Sequence, residues 1–229
     1  MRLRYGLQPL HLPRRCDGVC PGYFTVQHAL SCKKGGLVLQ RHDNVAGEWH
    51  DLCAKALKPN VVTDEPDIPI YQNTNGNNAN APRQPTELQS DVAVNGFWRR
   101  GTIAIFDIRI TDTDAPSHNT KDPGKILRNQ EKEKKNQYGE ACKEAHWHFT
   151  PLVYLVDGLE GTETKAACKQ LASILAVKWN RNYSQVCGFV HSHLAVALVR
   201  ATSKCLRGTR KPTRKPVDWV TGAGSRLFH

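Results

Sequence analysis

Between Leu37 and Leu57 the apolar residues Val38, Val45, Trp49, Leu52 and Ala56 recur at three-, four- and seven-residue steps. That periodicity predicts an amphipathic helix. Pro59 and Asn60 stop it. Val61 to Glu65 is a short β-prone run. From Gln72 to Pro85 the chain is rich in Asn, Pro and Gly, which predicts a surface loop. The pattern then changes to strand. Ser90–Val94 leads through Asn95-Gly96 into Gly101–Ile110, which predicts a hairpin. Its second strand has Ala104, Phe106, Ile108 and Ile110 on one face, and Ile103 and Ile105 on the other. A strand apolar on both faces is central, with helices packed on either side.

The remaining pattern alternates. Lys125 to His146 reads as a long charged helix and Phe149 to Val156 as a second buried strand. Thr162 to Trp179 is an amphipathic helix built on Ala167, Leu171, Ile174 and Leu175, and Val186 to Ala201 is a final helix. This mixed order predicts a single α/β or α+β core over residues 37–203. Residues 1–36 form an extended lead-in with a small knuckle, and residues 204–229 a basic C-terminal tail.

The knuckle carries chemistry. Cys16, Cys20, His28 and Cys32 are spaced Cys-x3-Cys-x7-His-x3-Cys, with Gly35-Gly36 following. Zinc takes four nitrogen or sulfur ligands tetrahedrally, and closely spaced pairs of this kind suit a structural Zn²⁺. Such a Gly- and Pro-punctuated run builds no core of its own, so it needs the metal to fold. The other cysteines, Cys53, Cys142, Cys168, Cys187 and Cys205, fall inside apolar patterns and read as buried free thiols.

Composition sharpens the partner. The 229 residues carry a formal net charge of +11. Such an excess favours nucleic acid. Lys204, Arg207, Arg210, Lys211, Arg214 and Lys215 crowd the C-terminal region, as a solvated arm or as a phosphate-contacting one. No apolar stretch approaches the roughly 18 residues of a membrane span. The start, Met1-Arg2-Leu3-Arg4-Tyr5, lacks the apolar core of a signal peptide. The expectation is an intracellular, nuclear protein without a membrane or small-molecule partner.

Two acids stand out. Asp107 shares a strand face with Ile103, Ile105 and Arg109. A carboxylate buried among isoleucines needs a cation, either Arg109 or a bound metal. Asp91 lies on the preceding strand. Adjacent strands run about 4.8 Å apart, so Asp91 and Asp107 could converge on one Mg²⁺ or Mn²⁺ if the register allows. Glu65 is a possible third acid. On the following helix Lys134 and Tyr138 are i,i+4 neighbours that could point a cation and a phenol at the strand ends.

These runs, RCDGVC…HALSCKKGGLVLQRHDNV, DEP, SDVAV…FDIRITDTDAPSH, EKEKKNQY, HFTPLVYLVDGLEG and YSQVCGFV, resemble the region downstream of the polymerase in non-LTR retrotransposon-type reverse transcriptase proteins. That region is similar to the PD-(D/E)XK restriction-endonuclease-like nucleases. The resemblance implies a mixed central sheet flanked by helices, and a Mg²⁺-dependent endonuclease that nicks DNA. The family's first metal-binding Asp falls on Asp91 and the acid of its (D/E)-x-K element on Asp107. The third position of that element is Arg109 and departs from lysine. Lys134 or Lys135 would then take the lysine's place. If neither does, the domain is a catalytically inactive nucleic-acid-binding remnant. A further acid would come from Glu48, Asp51 or Glu65. The family's knuckle maps onto Cys16, Cys20, His28 and Cys32, with a nucleic-acid-binding role. No Tyr-x-Asp-Asp polymerase box occurs here. The resemblance therefore implies a detached C-terminal piece or a degenerate copy.

Overall fold

The structure is a computed structural model, and it describes residues 12–18, 20, 21, 23–69, 88–113 and 121–210. The long helix expected from Leu37 is α2 (Leu37–Ala56), and it buries Val45, Trp49, Leu52, Cys53 and Ala56. Ahead of it lies a short helix, α1 (Val26–Ser31), which the apolar pattern does not announce. Between them Gly35 and Gly36 both take positive φ. A side chain at Gly35 would strike the Arg210 backbone, so glycine there permits a close approach of the two ends of the described chain.

Strand β1 (Val62–Asp64) follows, then β4 (Val92–Asn95) and β5 (Ile103–Thr111), with a two-stranded ribbon of β2 (Asp67–Ile68) and β3 (Leu88–Gln89) between β1 and β4. β4 and β5 form the predicted hairpin, closed by Gly96 N–H donating to the Thr102 carbonyl at 2.9 Å. Helix α3 (Pro123–Glu144) begins with Asp122 accepting from Lys125 N–H and with Pro123 in its first turn. It leads into β6 (His148–Leu155), then α4 (Thr162–Trp179) and α5 (Tyr183–Arg207). The main sheet has the order β1-β4-β5-β6. The first two pairings are antiparallel and β5–β6 is parallel. The result is a mixed four-stranded sheet flanked by helices, with a small N-terminal Cys/His cluster.

β5 is central, as its two apolar faces require. On one side Phe106 and Ile108 join Trp49, Phe97, Leu171, Leu175 and Leu194 in the main core, covered by α2, α4 and α5. Phe106 meets Trp49 and Phe97 edge-on, with ring centroids 5.1 and 4.9 Å apart. On the other side Ile105 packs on Tyr138, Ala141 and Cys142 of α3. Val153 and Leu155 of β6 pack on Ile126 and Leu127 of the same helix.

Residues 204–210 are not a tail. α5 continues to Arg207, so Lys204 and Arg207 sit in its last turn, where cations suit the negative end of the helix dipole. Arg210 is buried. Lys211, Arg214, Lys215 and the 72–85 loop lie outside the described residues. Cys53, Cys142, Cys168 and Cys205 are buried free thiols as expected, and Cys187 is partly buried. No helix among the described residues is long and apolar enough to cross a membrane.

Candidate metal centres

Helix α1 sets the N-terminal cluster. Thr25 caps it by accepting from His28 N–H at 3.1 Å. One helical turn then places His28 and Cys32 on one side, and Cys16 and Cys20 close over them. The three Sγ atoms and the imidazole lie within 4.8 Å of one another. Cys16 and Cys20 stand 4.0 and 3.7 Å from Cys32, sulfur to sulfur. A tetrahedral zinc with Zn–S bonds of about 2.3 Å has ligand–ligand edges of about 3.8 Å, so the spacing fits the ion. The donor chemistry fits as well. His28 Nε2 is buried and has no hydrogen-bond partner. Burial and the thiols of Cys32 and Cys16 push the Cys20 thiol up to about 11. A cation relieves that crowding by stabilising the thiolates.

This knuckle is built onto the end of α5. Phe24, Leu30 and Leu37 pack with Cys205 and Leu206. Arg210 donates from Nη2 to the Ala29 carbonyl at 3.0 Å and to the Cys205 carbonyl, and its guanidinium lies over the Phe24 ring. Asp17 Oδ2 accepts from Arg210 N–H and from the Thr209 hydroxyl, which hold its carboxyl below the usual range against the opposing effect of burial.

The second place is the acidic end of the hairpin. The register pairs Val92 with Phe106, so one step further Asp91 stands beside Asp107. Asp107 is buried, and its Oδ2 lies 2.7 Å from Lys134 Nζ. The two groups form an ion pair. Burial and the neighbouring Asp91 carboxylate push the Asp107 carboxyl up, while Lys134 pulls it back. Lys134 also lies over the ring of Tyr138, whose hydroxyl donates to the Gln89 carbonyl at 3.1 Å. The lysine that meets Asp107 thus comes from α3, one turn before that phenol. Arg109 does not meet Asp107; its guanidinium pairs with Glu133 at 2.9 Å.

Asp91 has its own cation. Its Oδ2 accepts from Ile108 N–H at 2.5 Å and lies 3.1 Å from His42 Nε2 on α2. The same nitrogen is 3.1 Å from the Ile108 carbonyl. Hydrogen bonding to Asp91 outweighs burial and raises His42 to about 9, so it is an imidazolium at neutral pH. His42 is the site residue that sequence reasoning missed. A signal existed, because His42 lies on the stripe of Val38, Val45 and Trp49.

The other acids go elsewhere. Glu65 is exposed at a positive φ, and its main-chain N–H donates to the Asp91 carbonyl. Glu48 pairs with His193 at 2.8 Å, and Asp51 lies 3.6 Å from His50. Lys135 pairs with Glu163. Apart from His42 on Asp91, no third His, Cys, Asp or Glu among the described residues joins Asp91 and Asp107 in a set whose ligand atoms all lie within 4.8 Å of one another.

A further cluster joins three elements. Glu160, Cys168 and His191 bring a carboxylate, a thiol and an imidazole within 4.8 Å of one another, a set capable of metal coordination. A β-bridge from Glu160 to Tyr154 folds the loop after β6 back against that strand. Among known proteins, no family model matches this chain and no curated protein is significantly similar to it.

Proposed function

We propose that the chain is a metal-dependent DNA endonuclease domain of the restriction-endonuclease-like type, carrying a zinc knuckle and derived from a retrotransposon-type protein. The observation that carries this reading is the pair of carboxylates on adjacent strands with Lys134 held against one of them. Two neighbouring acids, one of which raises the proton affinity of the other, are a natural seat for a divalent cation. Asp91 and Asp107 would hold Mg²⁺ or Mn²⁺, which when bound activates water and stabilises the leaving oxygen of a phosphodiester.

The chain's own groups do the rest. Lys134, which stands beside Asp107, would neutralise charge that develops on the phosphate. It fills the role that Arg109 vacates by pairing with Glu133. Main-chain N–H of Ile108 fixes the Asp91 carboxylate, so one ligand is oriented before substrate arrives. The net charge of +11 draws the polyanion, and the Zn²⁺ knuckle adds a second binding element.

A second reading has its own support. Each acid already holds a protein cation, Lys134 on Asp107 and His42 on Asp91. A domain that neutralises its own acids in this way is a catalytically inactive nucleic-acid-binding remnant. Nicking of supercoiled plasmid with Mg²⁺ or Mn²⁺ separates the two. Cleavage by the wild type that is lost in Asp107→Ala supports the nuclease. DNA binding without cleavage in either protein refutes it and leaves the remnant.

A further inference from the structure

The Glu160–Cys168–His191 cluster lies away from both places described above. Tyr154 faces the main core under α4 and α5, whereas Asp107 faces α3, so the sheet separates them. Each ligand is set by a different element. Cys168 lies on the inner face of α4 and is fully buried. His191 projects from α5, and its Nδ1 is 3.2 Å from Glu160 Oε1. Glu160 is held by its β-bridge to Tyr154.

A His–Glu pair alone is an ordinary surface contact. Two observations make this one different. A thiol completes the set from below, so a soft donor, a borderline one and a hard one converge on one point. The Tyr154 hydroxyl is also buried there, fully enclosed, and has no well-formed hydrogen bond. Its neighbour is the Cys168 sulfur, towards which it is placed to donate once that sulfur is a thiolate.

We propose that Glu160, Cys168 and His191 form a second zinc site, distinct from the N-terminal knuckle. One thiolate, one imidazole and one carboxylate suit Zn²⁺ among the divalent ions, because Mg²⁺ and Ca²⁺ reject sulfur. Three protein ligands leave a fourth position for water, the pattern of an open zinc site. The Tyr154 hydroxyl supports the sulfur as an outer-shell donor. Binding moves the Cys168 proton to solvent, and the ion replaces it as the charge that the buried sulfur faces. Glu160 and His191 are partly exposed, with side chains 14% and 37% accessible, so the ion enters from that side. The site does not depend on the nuclease reading.

The test counts metal on the full-length chain. Purified with excess Zn²⁺ and dialysed, the wild type should retain two equivalents by elemental analysis. His191→Ala, a change at a partly exposed position, should retain one, and Cys20→Ser should retain the other. Co²⁺ gives a second readout, since sulfur-to-cobalt charge transfer scales with the number of thiolates. The equivalent lost in His191→Ala should carry the weak band of a single thiolate, and Cys168→Ser should remove that band while the knuckle's stronger band persists. One equivalent in the wild type, or two in His191→Ala, overturns the proposal. So does a second equivalent whose absorption is unchanged by Cys168→Ser.

Discussion

Lys134→Met tests whether the Lys134–Asp107 contact governs the acidic end of the sheet. The two side chains are 17% and 5% exposed, and Nζ stands 2.7 Å from Oδ2. Methionine keeps the stem and removes the charge, which strands a carboxylate facing α3. Breaking a buried pair in this way costs about 3–5 kcal/mol. The protein has one escape, which is to protonate Asp107. From an ordinary carboxyl value of 3.8, that step costs about 4 kcal/mol at pH 7, at 1.36 kcal/mol per pH unit. Asp107 already sits above that value, so protonation caps the loss below that figure. Urea unfolding followed by tryptophan fluorescence measures it, because Trp49 is fully enclosed. The double variant with Asp107→Asn should recover about 2 kcal/mol, because no stranded charge remains. The loss should also shrink as pH falls, because the raised carboxyl then protonates at lower cost. A loss below about 0.5 kcal/mol, or strict additivity in the double variant, refutes the argument.

Other outcomes follow from the same geometry. In magnesium-free buffer, His42→Asn should remove a pH-dependent part of the stability. A histidine raised from 6.5 to about 9, chiefly by Asp91, contributes about 3 kcal/mol, in full below pH 6.5 and lost as pH climbs through 9; a wild-type-minus-variant difference that stays flat with pH would show that Asp91 does not hold the imidazolium. Cys20→Ser should lose the knuckle's zinc and open residues 12–36 to protease, and unchanged metal content with intact protection would defeat the ligand assignment. Arg210→Ala should cost about 2–3 kcal/mol, since it removes a buried charged donor from the Ala29 and Cys205 carbonyls. Amide exchange should then quicken in α1 and in the last turn of α5 together; protection unchanged in both would sever the latch from the knuckle.

The helices and the central strand were legible because burial writes a period into the chain. Trp49, Leu52 and Ala56 mark α2, and the two apolar faces of Ile103–Thr111 mark β5 as enclosed. The knuckle was legible from spacing alone, since its ligands are local. α1 was not, because six residues carry too little periodicity, and only Thr25 signals its start. Pairing is where local pattern stops. That Asp107 takes Lys134 rather than Arg109 depends on how α3 lies across β5, and the neighbour along the strand points to Glu133 instead. The Glu160–Cys168–His191 set joins a loop and two helices, so no window of sequence contains it. The basic run after Lys204 misled for a related reason. Its charges look solvated in sequence, yet Arg210 is drawn inward by carbonyls at the ends of α1 and α5.

The acids at the hairpin carry a physical tension that bears on the choice between nuclease and remnant. Replacing a buried ion pair with apolar groups of similar size is often neutral or stabilising, so folding alone gives little reason to keep one. Asp107 with Lys134 is such a pair, on the strand face it shares with Ile105 and beside Tyr138, where an apolar residue would pack without desolvating a charge. Asp91 adds a second carboxylate that raises the first and needs His42 to compensate. Two acids side by side, each requiring its own protein cation, make a poor stability device. On the nuclease reading, Asp91 and Asp107 would instead hold one divalent ion between them, and Lys134 would be the cation left to meet a phosphate. An arrangement costly at rest is what the nuclease reading expects, since a domain kept only for its fold has no use for such a pair.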